Sequence, residues 1–102
     1  MDAHCTVFVR LTPLPGHADT VVGIIKELLP EIRSAQGCLT YEMFSEVSGE
    51  VMLYEVWATR DDWQAHFETR AIGELQELLK DKVELYFTIT KFENDIGFSL
   101  IH

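Results

Sequence analysis

The stretch Val51–Phe67, VMLYEVWATRDDWQAHF, brings together Glu55, Trp57 and His66, with Tyr54 and Trp63 beside them. Histidine alone has an unperturbed pKa, near about 6.5, that lets it take and return a proton at neutral pH, which makes His66 the candidate general base. That role requires hydrogen-bond reach to a ligand; without it His66 would only cap or pack on a helix surface. Glu55, on a strand, needs a cation such as Arg10 or Arg33, or it must hold a proton, because an unpaired buried carboxylate is costly. Trp57 shares the sheet face of Glu55 and Leu53, since strand side chains alternate. It could stack on an aromatic ligand, although large strand aromatics more often fill the core. Tyr41, Tyr54 and Tyr86 could orient a phenolic molecule by hydrogen bonding, or pack with their hydroxyls at a rim.

Other chemistries find little support. No Ser-His-Asp spacing, phosphate loop or metal motif occurs. His17 lies beside a turn and His4 and His102 lie near the chain ends, where surface groups are usual. Cys5 and Cys38 are too few and too far apart for a metal knuckle or disulfide framework, and read as buried thiols. A bridge between them would need neighbouring strands. Eight Lys and Arg against seventeen Asp and Glu give a formal charge of −9, which repels a phosphate backbone and argues against nucleic acid. No run approaches the roughly 18 apolar residues of a membrane span, and the N-terminus carries no secretion signal, so a soluble, cytoplasmic protein is expected.

At 102 residues the chain is expected to be one domain, 1–102. His4–Thr12 alternates as a strand and ends at Pro13, Pro15 and Gly16. Val21, Ile25, Leu28 and Ile32 space a helix over His17–Arg33, with a kink or early stop expected near Leu29 because of Pro30. Cys38–Val47 and Val51–Ala58 flank Ser48, Gly49 and Glu50 as a hairpin. Thr59 with Asp62 resembles a capping box, and Trp63 and Phe67 are anchors one helical turn apart. Thr69–Gly73 interrupts the helical pattern, so the second helical region is two pieces or one bent piece, resuming with Ile72, Leu75, Leu78 and Leu79. Val83–Glu93 is the last and strongest strand.

Strand, helix, strand, twice over, is the split βαβ arrangement of an α+β ferredoxin-like domain, with an antiparallel sheet and helices on one face. The opposite face, assigned Phe8, Tyr41, Met43, Tyr86 and Phe92, then needs a cover. A twofold homodimer packing sheet on sheet supplies it. Within the tail 93–102, Phe98–Ile101 could add an edge strand to the partner or stay on its own subunit.

Pro15-Gly16 before the first helix, Gly37-Cys38-Leu39-Thr40-Tyr41-Glu42, Tyr54-Glu55-Val56-Trp57 and Ala65-His66-Phe67 together resemble the antibiotic biosynthesis monooxygenase family, and within it the small quinol-monooxygenase-like proteins. The resemblance spans about residues 7 to 92. It implies a dimeric α+β barrel that oxygenates a quinol or polyphenol-like small aromatic substrate with O2, using no flavin, haem, metal or other cofactor. On that footing His66 is the base, Trp57, Tyr41, Phe8 and Met43 wall the pocket, and Glu55 and Tyr54 contact substrate. Haem-degrading relatives carry an Asn on the first strand, where this chain reads Phe8-Val9-Arg10, which argues against haem degradation. Two other readings are a small isomerase or tautomerase acting on a carbonyl compound through the same groups, and a non-enzymatic dimeric ligand-binding or stress-associated domain.

Overall fold

The alternating, β-branched run CTVFVRL forms β1 (Cys5–Leu11), and the hairpin segments form β2 (Cys38–Ser45) and β3 (Val51–Trp57). The computed structural model describes residues 4–84 and the backbone of 88–93, the latter being β4 (Thr88–Glu93). The sheet order is β2-β3-β1-β4 and every pairing is antiparallel. β1 therefore lies between β3 and β4, as in a ferredoxin-like domain. Tyr86 and residues 94–102, including the Phe98–Ile101 tail, lie outside the described residues, as does the side chain of Phe92.

α1 (Ala18–Arg33) buries Val21, Ile25, Leu28, Leu29 and Ile32 against the sheet. The expected early stop near Leu29 does not occur, because the helix runs through Pro30 for a further turn. Proline removes one backbone bond, to the carbonyl of Lys26, at about 3 kcal/mol in a helix interior. Lys26 and Pro30 are both exposed, so water can serve that carbonyl. The buried Leu28, Leu29 and Ile32 each contribute about 1.5–3 kcal/mol, which outweighs the loss.

α2 (Arg60–His66) starts where Thr59 accepts a hydrogen bond from the Asp62 amide at 3.0 Å, and α3 (Arg70–Leu79) is capped by Thr69. The second helical region is thus two pieces, joined where the Thr69 hydroxyl donates to the His66 carbonyl at 2.7 Å. Ala71, Ile72, Leu75 and Leu79 form the buried stripe of α3, whereas Leu78 is exposed. Of the expected strand Val83–Glu93, Val83 makes an isolated bridge to Pro13 and Thr88–Glu93 form β4, while residues 85–87 lie outside the described residues.

One irregularity changes the face of β2. A register shift between Cys38 and Thr40 leaves Leu39 as an extra residue, so Tyr41 falls opposite Glu55 and Met43 opposite Leu53. Because strand side chains alternate, one inserted residue moves every later side chain to the other face. Tyr41 and Met43 consequently face the helices and join the core, not the outer face to which alternation alone assigns them. Phe8 and Tyr54 do occupy that outer face, half-buried and stacked at 5.3 Å. Cys5 and Cys38 are not bridged to each other, since β3 separates their strands and both stand opposite Trp57. Among the described residues no helix is long and apolar enough to cross a membrane.

Candidate functional site

On β3 the buried positions are Val51, Leu53, Glu55 and Trp57, so alternation delivers a carboxyl and an indole side by side into the space beneath the helices. The bulge in β2 adds Tyr41, and the Thr59 cap sets the phase of α2 so that His66, in its last turn, points to the same place. Glu55 is 2% exposed and His66 4%. Glu55 Oε1 accepts from Trp57 Nε1 at 2.9 Å and lies 4.0 Å from His66 Nε2. Tyr41, opposite Glu55 in the β2–β3 pairing, is buried beside the same carboxyl.

Neither arginine serves Glu55. Arg10 pairs with Glu50 at 2.7 Å, and Arg33 pairs with Glu42 at 3.2 Å while donating to the Tyr41 carbonyl. Glu55 takes the other course, that of taking up a proton as pH falls through neutrality. Burial pushes its pKa up to about 7, while the Trp57 indole N–H and the neighbouring Tyr41 hydroxyl oppose the rise by favouring the anion. Burial of His66 lowers its pKa, opposed by its contact with the Trp63 carbonyl. A carbonyl can only accept, so the His66 Nδ1 facing it carries the hydrogen and the neutral ring presents a bare Nε2. The Tyr41 hydroxyl is pushed far up by burial and by the adjacent Glu55.

These groups line a cavity of about 340 Å³, within the usual range for small-molecule sites. Tyr41, Glu55 and His66 are its buried polar groups; Val9, Leu11, Leu53, Trp63, Ile72 and Leu75 are among its apolar walls. Exposed Gln76, Lys80 and Glu84 mark its rim.

The sequence-derived site residues therefore divide. His66, Glu55 and Tyr41 meet at the cavity. Trp57 is fully buried behind them, its indole 4.4 Å from the His66 ring, and does not line the space. Met43 packs in the core without reaching the cavity, and Phe8 and Tyr54 are across the sheet. Sequence reading missed the contribution of α3, and it took Trp63 and Phe67 only for anchors although both line the cavity. The apolar stripe of α3 was visible; that part of it faces open space was not.

Trp57 acts on the site through Glu55. Trp57→Phe keeps an aromatic ring but removes the N–H that favours the Glu55 anion, so the Glu55 midpoint is expected to rise by about one pH unit. Infrared titration of the carboxyl band checks this, and an unmoved midpoint would contradict it.

Fold and site together define a small α+β ferredoxin-like domain whose apolar cavity ends on a buried carboxyl and imidazole. The family model for antibiotic biosynthesis monooxygenase matches residues 5–78, and the chain belongs to that family. Its structure is similar to that of a Nitrosomonas europaea protein named as a candidate antibiotic biosynthesis monooxygenase, with 13% identity, 97% of each chain covered and a TM-score of 0.86. It is also similar to a crystal structure named antibiotic biosynthesis monooxygenase, with 22% identity, coverage of 86% of this chain and 95% of that one, and a TM-score of 0.79. A Bacteroides thetaiotaomicron protein of unknown function, named as a possible oxidoreductase, matches at 19% identity over 91% of this chain and 99% of that one, with a TM-score of 0.80. At these identities the likeness is one of fold. No curated protein matches the chain.

Proposed function

We propose that the protein is a cofactor-independent monooxygenase acting on a quinol or polyphenol-like small aromatic. The observation that carries this reading is a largely apolar cavity of about 340 Å³ that ends on a bare imidazole nitrogen and a buried carboxyl. His66 Nε2 accepts the phenolic proton, and the resulting anion is held away from water, where it can give electrons to O2. For a hydroquinone the balance closes without a further reductant. One oxygen atom forms a new ring C–O bond and the other leaves as water, the four electrons coming from the substrate, which ends as a hydroxyquinone. Tyr41 and Glu55 hold the ring hydroxyl in place.

Oxygen uptake by metal-free protein against a hydroquinone panel tests the proposal; no member of the panel raising uptake above the uncatalysed rate would sink it. Glu55 and His66, an acid and a base on one cavity, also suit a tautomerase, and turnover under strict anaerobiosis would favour that second reading. A homodimer through the outer sheet face accords with the stacked Phe8 and Tyr54 there and with Phe44, 57% exposed on the same face. A monomeric mass by sedimentation equilibrium would rule it out. Two cysteines without a bridge accord with a cytoplasmic setting.

A further inference from the structure

We infer that the cavity opens at both ends and that Phe67 closes the end beside His66. Phe67 is an aromatic gate past which small neutral molecules such as O2 reach the imidazole, while ring-sized ligands pass the rim at Gln76, Lys80 and Glu84. This rests on the cavity being the substrate site proposed above, but not on the oxygenation chemistry, and it gives Phe67 a role beyond packing.

The cavity is a trough between two walls of like length. On α3, Ile72, Leu75, Gln76, Leu79 and Lys80 fall at helical spacing and line it with one face. From Ile72 to Lys80 that face is about 12 Å long. On the sheet, Glu55 stands opposite Val7 and Leu11 opposite Val51, so the carboxyl and Leu11 are four strand positions apart, about 13 Å. Glu55 and His66 mark one end of the trough. The far end is fixed by the bridge of Val83 to Pro13 and by the Glu84 amide, which donates to the Thr12 carbonyl at 2.9 Å. Lys80 and Glu84 are exposed there, on long hydrated side chains that can move aside for a ring. Phe67 is at the end with the base. It follows His66 directly, at the C-cap of α2. Its ring lies 4.4 Å from the imidazole and meets Trp63 edge-on at 5.2 Å. Facing the cavity gives a wall residue little exposure, as Trp63 at 8% shows, so the 38% of Phe67 comes from bulk solvent. The ring therefore touches the base and the cavity on one side and water on the other. Exposed side chains change rotamer within nanoseconds, and an apolar constriction resists filling by water. The contacts with Trp63 and His66 hold this one shut.

Diethyl pyrocarbonate, a small neutral reagent that acylates an unprotonated imidazole nitrogen, reads access to His66. Acylation is followed by mass spectrometry of the His66 and His17 peptides, His17 lying before α1 and off the cavity. Phe67→Ala is expected to raise the His66-to-His17 ratio of rates by about tenfold, the effect of removing the two aromatic contacts. Phe67→Trp, with a larger ring, is expected to lower it by about threefold. Loosening of the fold could only raise the ratio, so the opposite signs separate a gate from a weakened helix end. Gln76→Trp, which narrows the other end, is expected to leave the ratio unchanged. An unmoved ratio in Phe67→Ala overturns the inference, as does a rise in Phe67→Trp or a fall in Gln76→Trp. In hydroquinone-dependent oxygen uptake, Phe67→Trp is expected to raise the half-saturating O2 concentration and Gln76→Trp that of hydroquinone, each by about fivefold. The reverse pattern overturns the assignment of the two routes. Failure of the oxygenation proposal shows separately, as the expected acylation pattern with no hydroquinone-dependent uptake in the parent.

Discussion

His66→Ala is expected to lower quinol-dependent oxygen uptake by about 10²- to 10⁴-fold, the usual contribution of a positioned general base. The imidazole is buried, faces the cavity, and has its tautomer set by the Trp63 carbonyl, so the truncation removes the one imidazole acceptor aimed at the ligand. The truncation also removes packing against Trp57 and Phe67, so folding has to be measured alongside the rate. His66→Gln fills more of the space without supplying a base, and it should be equally slow while better folded. Added imidazole, which fits the space left by the alanine, should restore part of the rate in His66→Ala alone. Uptake unchanged in either variant would remove His66 from the mechanism and leave Glu55 as the only described buried base on the cavity.

The second large effect is on stability against pH, and Glu55 and His66 have opposite signs. The pKa of Glu55 is raised from its ordinary 4.5 to about 7 in the fold. Its contribution is therefore fully present below pH 4.5 and is lost as pH rises through about 7, a loss of about 3 kcal/mol. His66 is lowered from 6.5, so its contribution is present above pH 6.5 and is lost as pH falls through the folded value. The two slopes oppose one another in the acid range, and the parent protein should show a muted dependence there. Glu55→Gln should expose the His66 slope, with stability rising with pH, and should be more stable than the parent at pH ~8. His66→Asn should expose the Glu55 slope, with stability falling as pH rises. Urea melts across the range read both, and parallel curves for the two variants would show that neither group titrates as described.

Much of this was legible in the sequence because period and punctuation are local. The alternation of β1 and β3, the apolar stripe of α1 and the Thr59 cap each declare themselves within a few residues, and the hairpin loop fixes the β2–β3 pairing. Glu55 and His66 stood out because ionisable residues flanked by buried positions need a reason. What stayed hidden depends on long-range geometry. Tyr41 changes face through a bulge at Leu39 that no residue type advertises. Pro30 is tolerated only because its carbonyl partner faces outward and its neighbours are buried by the sheet. The role of Trp57 turned on whether its ring met the cavity or the back of Glu55, and alternation gives the same answer for both.

The sheet order also bears on how the chain reaches its folded state. β1 leaves the ribosome before both of its sheet partners, one built from residues 51–57 and the other from residues 88–93. The β2–β3 hairpin can close within microseconds of its synthesis, but the central strand must wait for partners distant in sequence. Until β4 arrives, β1 presents an unpaired edge carrying Val7, Phe8 and Val9, the kind of edge on which nascent chains associate wrongly. A chain truncated before residue 88 should therefore aggregate during expression, even though its cavity-lining residues are all present.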